Sequence, residues 1–157
     1  GAPLDANPMA NGTGVDSMLD DATKGILASK LPLHQWTPSA EQPFTTDTVY
    51  FNLDKSNIKP SEVPKIEKVA SAMKNHAGKA LRIEGHCDER RTEEYNRALG
   101  ERRALSVREY LVQQGVSAQL VDTISFGEDR PVTPGHTPEA WSKNRRGEFI
   151  LLDPPKK

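Results

Sequence analysis

The chain has 157 residues, with 21 Lys and Arg against 22 Asp and Glu and a formal net charge of −1. That length suits one ordinary domain with a single sizeable core, and the balanced charge argues against a nucleic-acid footprint. There is no run of about eighteen apolar residues and no basic start followed by a short apolar stretch, so neither a spanning helix nor a signal peptide is expected in these residues. Any membrane attachment is expected upstream of Gly1. The lone cysteine, Cys87, excludes an internal disulfide and is silent about redox compartment.

Residues 1–42 carry two Lys against five acids and are rich in Gly, Pro, Asn, Ser, Thr and Asp. They read as a mostly disordered tether with one short helical stretch at 17–30. A globular domain is expected from 43 to 153, followed by a tail at 154–157. Residues 48–53 form a β-type run, and Lys59-Pro60 opens a helical pattern through Asn75. On that helix Val63, Ile66, Val69, Ala70 and Met73 repeat at three and four residues, which makes one buried face. Residues 80–84 alternate as a second strand and deliver the chain to Gly85-His86-Cys87-Asp88. A long helix spans about 93–114 and stops at Gly115. Strands are expected at 122–127 and 146–152, separated by a loop through Pro131, Pro134 and Gly135. The order strand-helix-strand-helix-strand-strand predicts an α/β (α+β) two-layer domain with helices packed on a small mixed four-stranded sheet.

The stretch "GHCDERRTEEYN" (85–96) concentrates the polar chemistry of the chain. A metal reading of His86, Cys87 and Asp88 needs a second cluster of ligands, for which only His136 and loop carboxylates are on offer, because neighbours on an extended chain point to opposite sides and cannot readily surround one ion. A nucleophile reading finds no Gly-x-Ser-x-Gly elbow and no cysteine motif with a histidine context. Glu93 and Glu94 read as favourable negative charge at a helix start.

A third reading begins on the long helix. Counting from Asn96 at 3.6 residues per turn, one face carries Leu99 or Gly100, Arg103, Val107, Tyr110 and Leu111, with Arg102 on the flank. An arginine inside an apolar stripe either snorkels or pairs with an internal acid, or it awaits a carboxylate brought by a ligand. Asp88 stands just past the second strand and Asp54 at the corresponding end of the first, where open α/β sheets commonly place ligand pockets. An anionic and a cationic wall would suit a zwitterion, its ammonium on Asp88 and its carboxylate on Arg103. Arg103 lies about ten residues into its helix, roughly 15 Å along the axis, and backward-leaning side chains close part of that gap.

"TVYFNLDKSNIKP", "RIEGHCDERRTEEYNRALGERRALSVREYL" and "ISFGEDRPVTPGHTPEAWSKNRRGEF" occur in order, and together they resemble the OmpA-like peptidoglycan-binding domain, most nearly its peptidoglycan-associated lipoprotein branch. The resemblance covers about residues 46–152. It implies a pocket between the first two strand–helix loops that grips the zwitterionic end of diaminopimelate in the peptide stem of peptidoglycan. By position it carries ligand binding onto Asp88, Arg103, Asn96 and Leu99, and onto Asp54, Ser56 and Asn57 in the first loop. Cys87 stands where the family usually has threonine, which weakens a hydroxyl hydrogen bond, and Arg91 stands where this branch usually has glycine, which predicts a reshaped or strained loop. Asn144-Arg145-Arg146 reads as structural, its arginines pairing with acids.

The function this implies is non-catalytic: a periplasmic domain anchoring the outer membrane to the cell wall, tethered through an upstream lipid, without a cofactor or metal. Peptidoglycan and the Tol system's periplasmic proteins are the partners implied, with no nucleic acid. Two alternatives stand beside it, the wall-gripping domain of an outer-membrane barrel or motor stator, and a metal-dependent wall hydrolase.

Overall fold

The computed structural model describes residues 32–156. The helix expected at 17–30 lies outside the described residues. The elements run β1 (Thr37–Pro38), β2 (Val49–Tyr50), α1 (Val63–Met73), β3 (Ala80–His86), α2 (Glu93–Gln113), β4 (Val121–Gly127), α3 (Pro138–Asn144) and β5 (Arg146–Asp153).

The sheet is mixed. β3 pairs in parallel with β4 and antiparallel with β5, and the other edge of β5 is shared by β1 and β2. It therefore has five strands where four were expected. The added one lies on the tether side of the expected boundary: Thr37 and Pro38 pair with Asp153 and Leu152, and Trp36 is buried against Ala80 and Leu152. The packed chain thus begins before residue 43, because an indole that finds an apolar slot is worth burying even in a polar, Pro-rich context.

The first strand is shorter than expected. β2 covers only Val49–Tyr50, and after Phe51 donates to the Arg145 carbonyl at 3.0 Å the chain turns away, with Lys55 N–H closing on Asn52 O. The first helix opens as a 3-10 turn, Pro60–Glu62, before α1 proper, and ends at Met73 with turns through His76. α3 falls inside the region expected to be loop. Thr137 caps it by accepting from Ala140 N–H and Pro138 occupies its first turn, a start signal masked by the two prolines and the glycine of 131–135 just before it.

α2 obeys its sequence closely. Thr92 Oγ1 accepts from Tyr95 N–H at 3.1 Å, Glu93 and Glu94 sit at the positive end, and Gly115 adopts φ 103° just past the last turn. Val116 N–H then closes on Leu111 O and Gly115 N–H on Val112 O, a Schellman ending. Asn96, Leu99, Gly100, Arg103, Ala104, Val107 and Leu111 are its buried face. α2 lies directly on β3 and β4, with α1 beside it. Ile66, Val69, Leu81, Ile83, Val107, Leu111, Phe149 and Leu151 fill the space between, each contributing about 1.5–3 kcal/mol on burial.

The close approach needs two glycines. A Cβ on Gly85 would stand 1.8 Å from the Gly100 carbonyl oxygen, and one on Gly100 would stand 2.2 Å from Ser125 Oγ. Gly85 and Gly147, whose Cβ would meet Phe51 and Val107, therefore face the helices. By strand alternation Glu84, His86, Arg146 and Glu148 face the other side.

Candidate functional site

Two loops meet at the end of the sheet. The first, 52–59, leaves β2, and the second, 87–92, leaves β3. The contact of Gly85 with Gly100 means that α2 crosses the strand end in its second turn, so its first turn overhangs the sheet beside the loops. Arg103, one turn further in, thereby reaches the end of β3. Despite the axial gap suggested by sequence spacing, Arg103 Nη1 is 2.9 Å from the His86 carbonyl, two residues before Asp88.

Arg103 has no exposed surface. Its Nε donates to Lys55 O at 2.8 Å, Nη2 to Asn52 O at 3.1 Å and Nη1 to His86 O at 2.9 Å, with the guanidinium over the Phe51 ring. It neither snorkels nor takes an acid as hydrogen-bond partner. It fastens the first loop to the end of β3, and three carbonyl dipoles orient its charge without cancelling it. Burial, partly opposed by nearby Asp88, lowers its pKa from the usual arginine value, yet a guanidinium stays charged.

Asp88 is also buried. It accepts from Arg90 three times, through backbone N–H at 3.0 Å, Nε at 3.1 Å and Nη2 at 2.9 Å, and lies 3.5 Å from Arg145 Nη1. Burial pushes its carboxyl upward, but the Arg90 hydrogen bonds and the charges of Arg90 and Arg145 outweigh it, so the pKa is lowered. Asp54 faces it from the first loop in the left-handed region, φ 58°. Arg91 forks onto it at 2.5 and 3.2 Å and Tyr95 Oη donates at 3.2 Å, the Arg91 hydrogen bond being the main cause of its lowered pKa. Both carboxylates are thus ionised, and each is capped by an arginine of the second loop. Ser56 is half-buried and Asn57 exposed further along the first loop.

Asn96 and Leu99 are both on the buried face of α2. Asn96 is buried, and its Nδ2 donates to Glu128 Oε1 at 2.9 Å and Asp88 O at 3.2 Å, bracing the second loop from beneath. Leu99 is 3 % exposed. The strain expected at Arg91 is not there: Asp54 is the only described non-glycine with positive φ. Cys87 makes an inward hydrogen bond, Sγ donating to Asn96 O at 3.1 Å, and burial pushes the thiol up to about 11.

Sequence reasoning missed the third wall. Glu89 accepts from Trp141 Nε1 at 3.0 Å and pairs with His136, while Arg90 lies 4.1 Å over the Trp141 ring. Arg145 donates to Phe51 O at 2.8 Å while facing Asp88. A tryptophan three residues past a Pro-led cap was the available signal.

A family model described as the OmpA family matches residues 50–145, well over half of the chain. The chain belongs to the OmpA family. Among relatives of this OmpA-family chain, a peptidoglycan-associated lipoprotein of Pseudomonas aeruginosa is 46 % identical over 102 residues, 65 % of this chain and 60 % of that protein. One of Brucella melitensis is 40 % identical over 118 residues, 73 % of this chain and 70 % of the relative. The chain thus spans about three fifths of the Pseudomonas relative's length. The crystal structure of the peptidoglycan-associated lipoprotein from Burkholderia pseudomallei superposes with a TM-score of 0.64 at 33 % identity, covering 71 % of this chain and 91 % of that one. A periplasmic domain of Helicobacter pylori MotB shares the fold, with a TM-score of 0.58 at 23 % identity.

Proposed function

We propose that this chain is a non-catalytic peptidoglycan-binding domain that holds the outer membrane to the cell wall, and that it grips the diaminopimelate of the peptide stem between the 52–59 and 87–92 loops. The observation that carries the reading is Arg103, buried without a carboxylate hydrogen-bond partner and bonded to the first loop and to the end of β3, with Asp54 and Asp88 ionised beside it. A zwitterionic ligand completes this arrangement. Its ammonium goes to the Asp88 and Asp54 side, and its carboxylate settles at the loop seam, drawn by the positive potential of Arg103. Asn96 and Leu99 support the floor, and Ser56 and Asn57 line the first-loop rim.

Arg91 occupies Asp54 in the free protein, but that pair is exposed, and exposed ion pairs are weak in water. A ligand ammonium displaces it at small cost. Carboxyl pKa values lowered by arginine partners keep Asp54 and Asp88 charged, which suits cation capture. The relatives named as peptidoglycan-associated lipoproteins support association with peptidoglycan and attachment through a lipid. We further propose an outer-membrane, periplasm-facing location, with the Tol system's periplasmic proteins as further partners.

The test is sedimentation with diaminopimelate-type peptidoglycan and competition by free meso-diaminopimelate. Asp88→Ala and Asp54→Ala are expected to lose retention while keeping a cooperative thermal transition. Full retention in both, or indifference to free diaminopimelate, overturns the assignment.

A further inference from the structure

On the sheet face turned away from the helices, Glu84, His86 and Glu148 each offer a ligand atom, all within 4.8 Å of one another. Glu84 on β3 stands directly opposite Glu148 on β5, and like charges in direct cross-strand register repel. His86 is 1 % exposed, stacks on Phe126 at 5.5 Å, and leaves both ring nitrogens without a hydrogen-bond partner, its Nε2 being 3.8 Å from Glu84 Oε1. Buried imidazole nitrogens without partners are rare. Two facing carboxylates and an orphan imidazole are each explained by the same missing group, a cation among them.

We propose that Glu84, His86 and Glu148 form a binding site for a divalent transition-metal ion of the Zn(II) type. One imidazole nitrogen and two carboxylates suit zinc and its neighbours better than magnesium or calcium, which prefer oxygen throughout. Arg146 pairs with Glu148 through Nε, but its Nη1 and Nη2 are held by the carbonyls of Asn144 and Arg130. It matches one carboxylate charge and leaves the other unmatched. Entry is open from the β5 side, where Glu148 lines a cleft of about 270 Å³ together with Tyr50, Val132 and Ile150. Three protein ligands leave a fourth position for water from that cleft. The site is on the sheet face turned away from the helices, whereas the proposed peptidoglycan pocket lies at the loops beyond the strand ends, and its occupancy stands or falls apart from that reading.

The test titrates Zn(II), against a chromophoric chelator, into the EDTA-treated 157-residue chain carrying His34→Ala, His76→Ala and His136→Ala, which leaves His86 as the sole histidine. A Cys87→Ala change in the same background removes zinc capture by the thiol. One equivalent is expected to bind and to shift the His86 ring nitrogen resonances. Glu84→Gln and Glu148→Gln, which are isosteric and keep the fold, should each weaken binding more than about tenfold, and the double variant should abolish it. No stoichiometric uptake in the background chain, uptake unchanged in the double glutamine variant, or ring nitrogens that respond only to protons overturns the proposal.

Discussion

Replacing Arg103 with lysine tests whether the residue acts through its charge or its shape. Lysine keeps the positive charge and the helix propensity, but it donates from one nitrogen where arginine spans three carbonyls. It can satisfy one of them, so two charge-assisted hydrogen bonds are lost, at about 1.5–3 kcal/mol each. Asn52 and Lys55 are exposed residues whose carbonyls can recover water, whereas His86 is buried, so the lower end applies and the cost is about 3 kcal/mol. Domain stabilities run at about 5–15 kcal/mol, so the variant should fold, its urea midpoint lowered by about 1.5 M. Urea unfolding by tryptophan fluorescence checks the stability, and amide exchange should quicken at Lys55, whose N–H closes the first-loop turn on Asn52. Peptidoglycan affinity should fall by at least about tenfold although the charge is kept. A midpoint shift below about 0.3 M, with loop exchange unaltered, would refute the fastening role assigned to the guanidinium.

Arg91→Ala releases Asp54 and should tighten binding of free meso-diaminopimelate about two- to fivefold by calorimetry; weaker binding would mean that Arg91 touches the ligand itself. Gly85→Ala drives a methyl into the Gly100 carbonyl and should cost about 3 kcal/mol or more, read as a lowered denaturation midpoint. Cys87, raised to about 11 when folded against an unfolded value near 8.5, favours the native state fully below the unfolded pKa, and that contribution is lost as pH rises from about 9 towards 11. Ellman's reagent at pH 8 should therefore label the thiol only at the rate of unfolding, and rapid labelling of the native protein would contradict its inward setting. Trp36→Ala should cost about 3 kcal/mol, because the indole covers Ala80 and Leu152 on the sheet edge; an unchanged thermal midpoint would return residues 32–42 to the tether.

Much of the fold was legible because its signals are local. The period of α2 marked Asn96, Arg103, Val107 and Leu111 as one face, and the alternation of 80–84 and the Gly115 stop needed no tertiary information. Short elements were harder. β1 has two residues and β2 has two, and each exists only because the edge of β5 supplies its partners. α3 is seven residues long, below the length at which periodicity speaks, and its cap was the sole clue.

The sequence by itself marked three of the charges at the candidate site and where along the chain they fall: Asp54 after the first strand, Asp88 after the second, and an arginine in an apolar helical stripe. Only the tertiary structure decided what each charge does. Arg103 bonds to carbonyls because the crossing of Gly85 and Gly100 sets it at the strand end, and Arg90 and Arg91 cap the two aspartates because the second loop folds back over them. Likewise His86 has Glu84 two residues away on its own strand but gains Glu148 from strand register, since Glu148 is 62 residues away in sequence and adjacent only across β3 and β5. Pairing across a sheet is set by packing of the whole chain, and no local pattern encodes it.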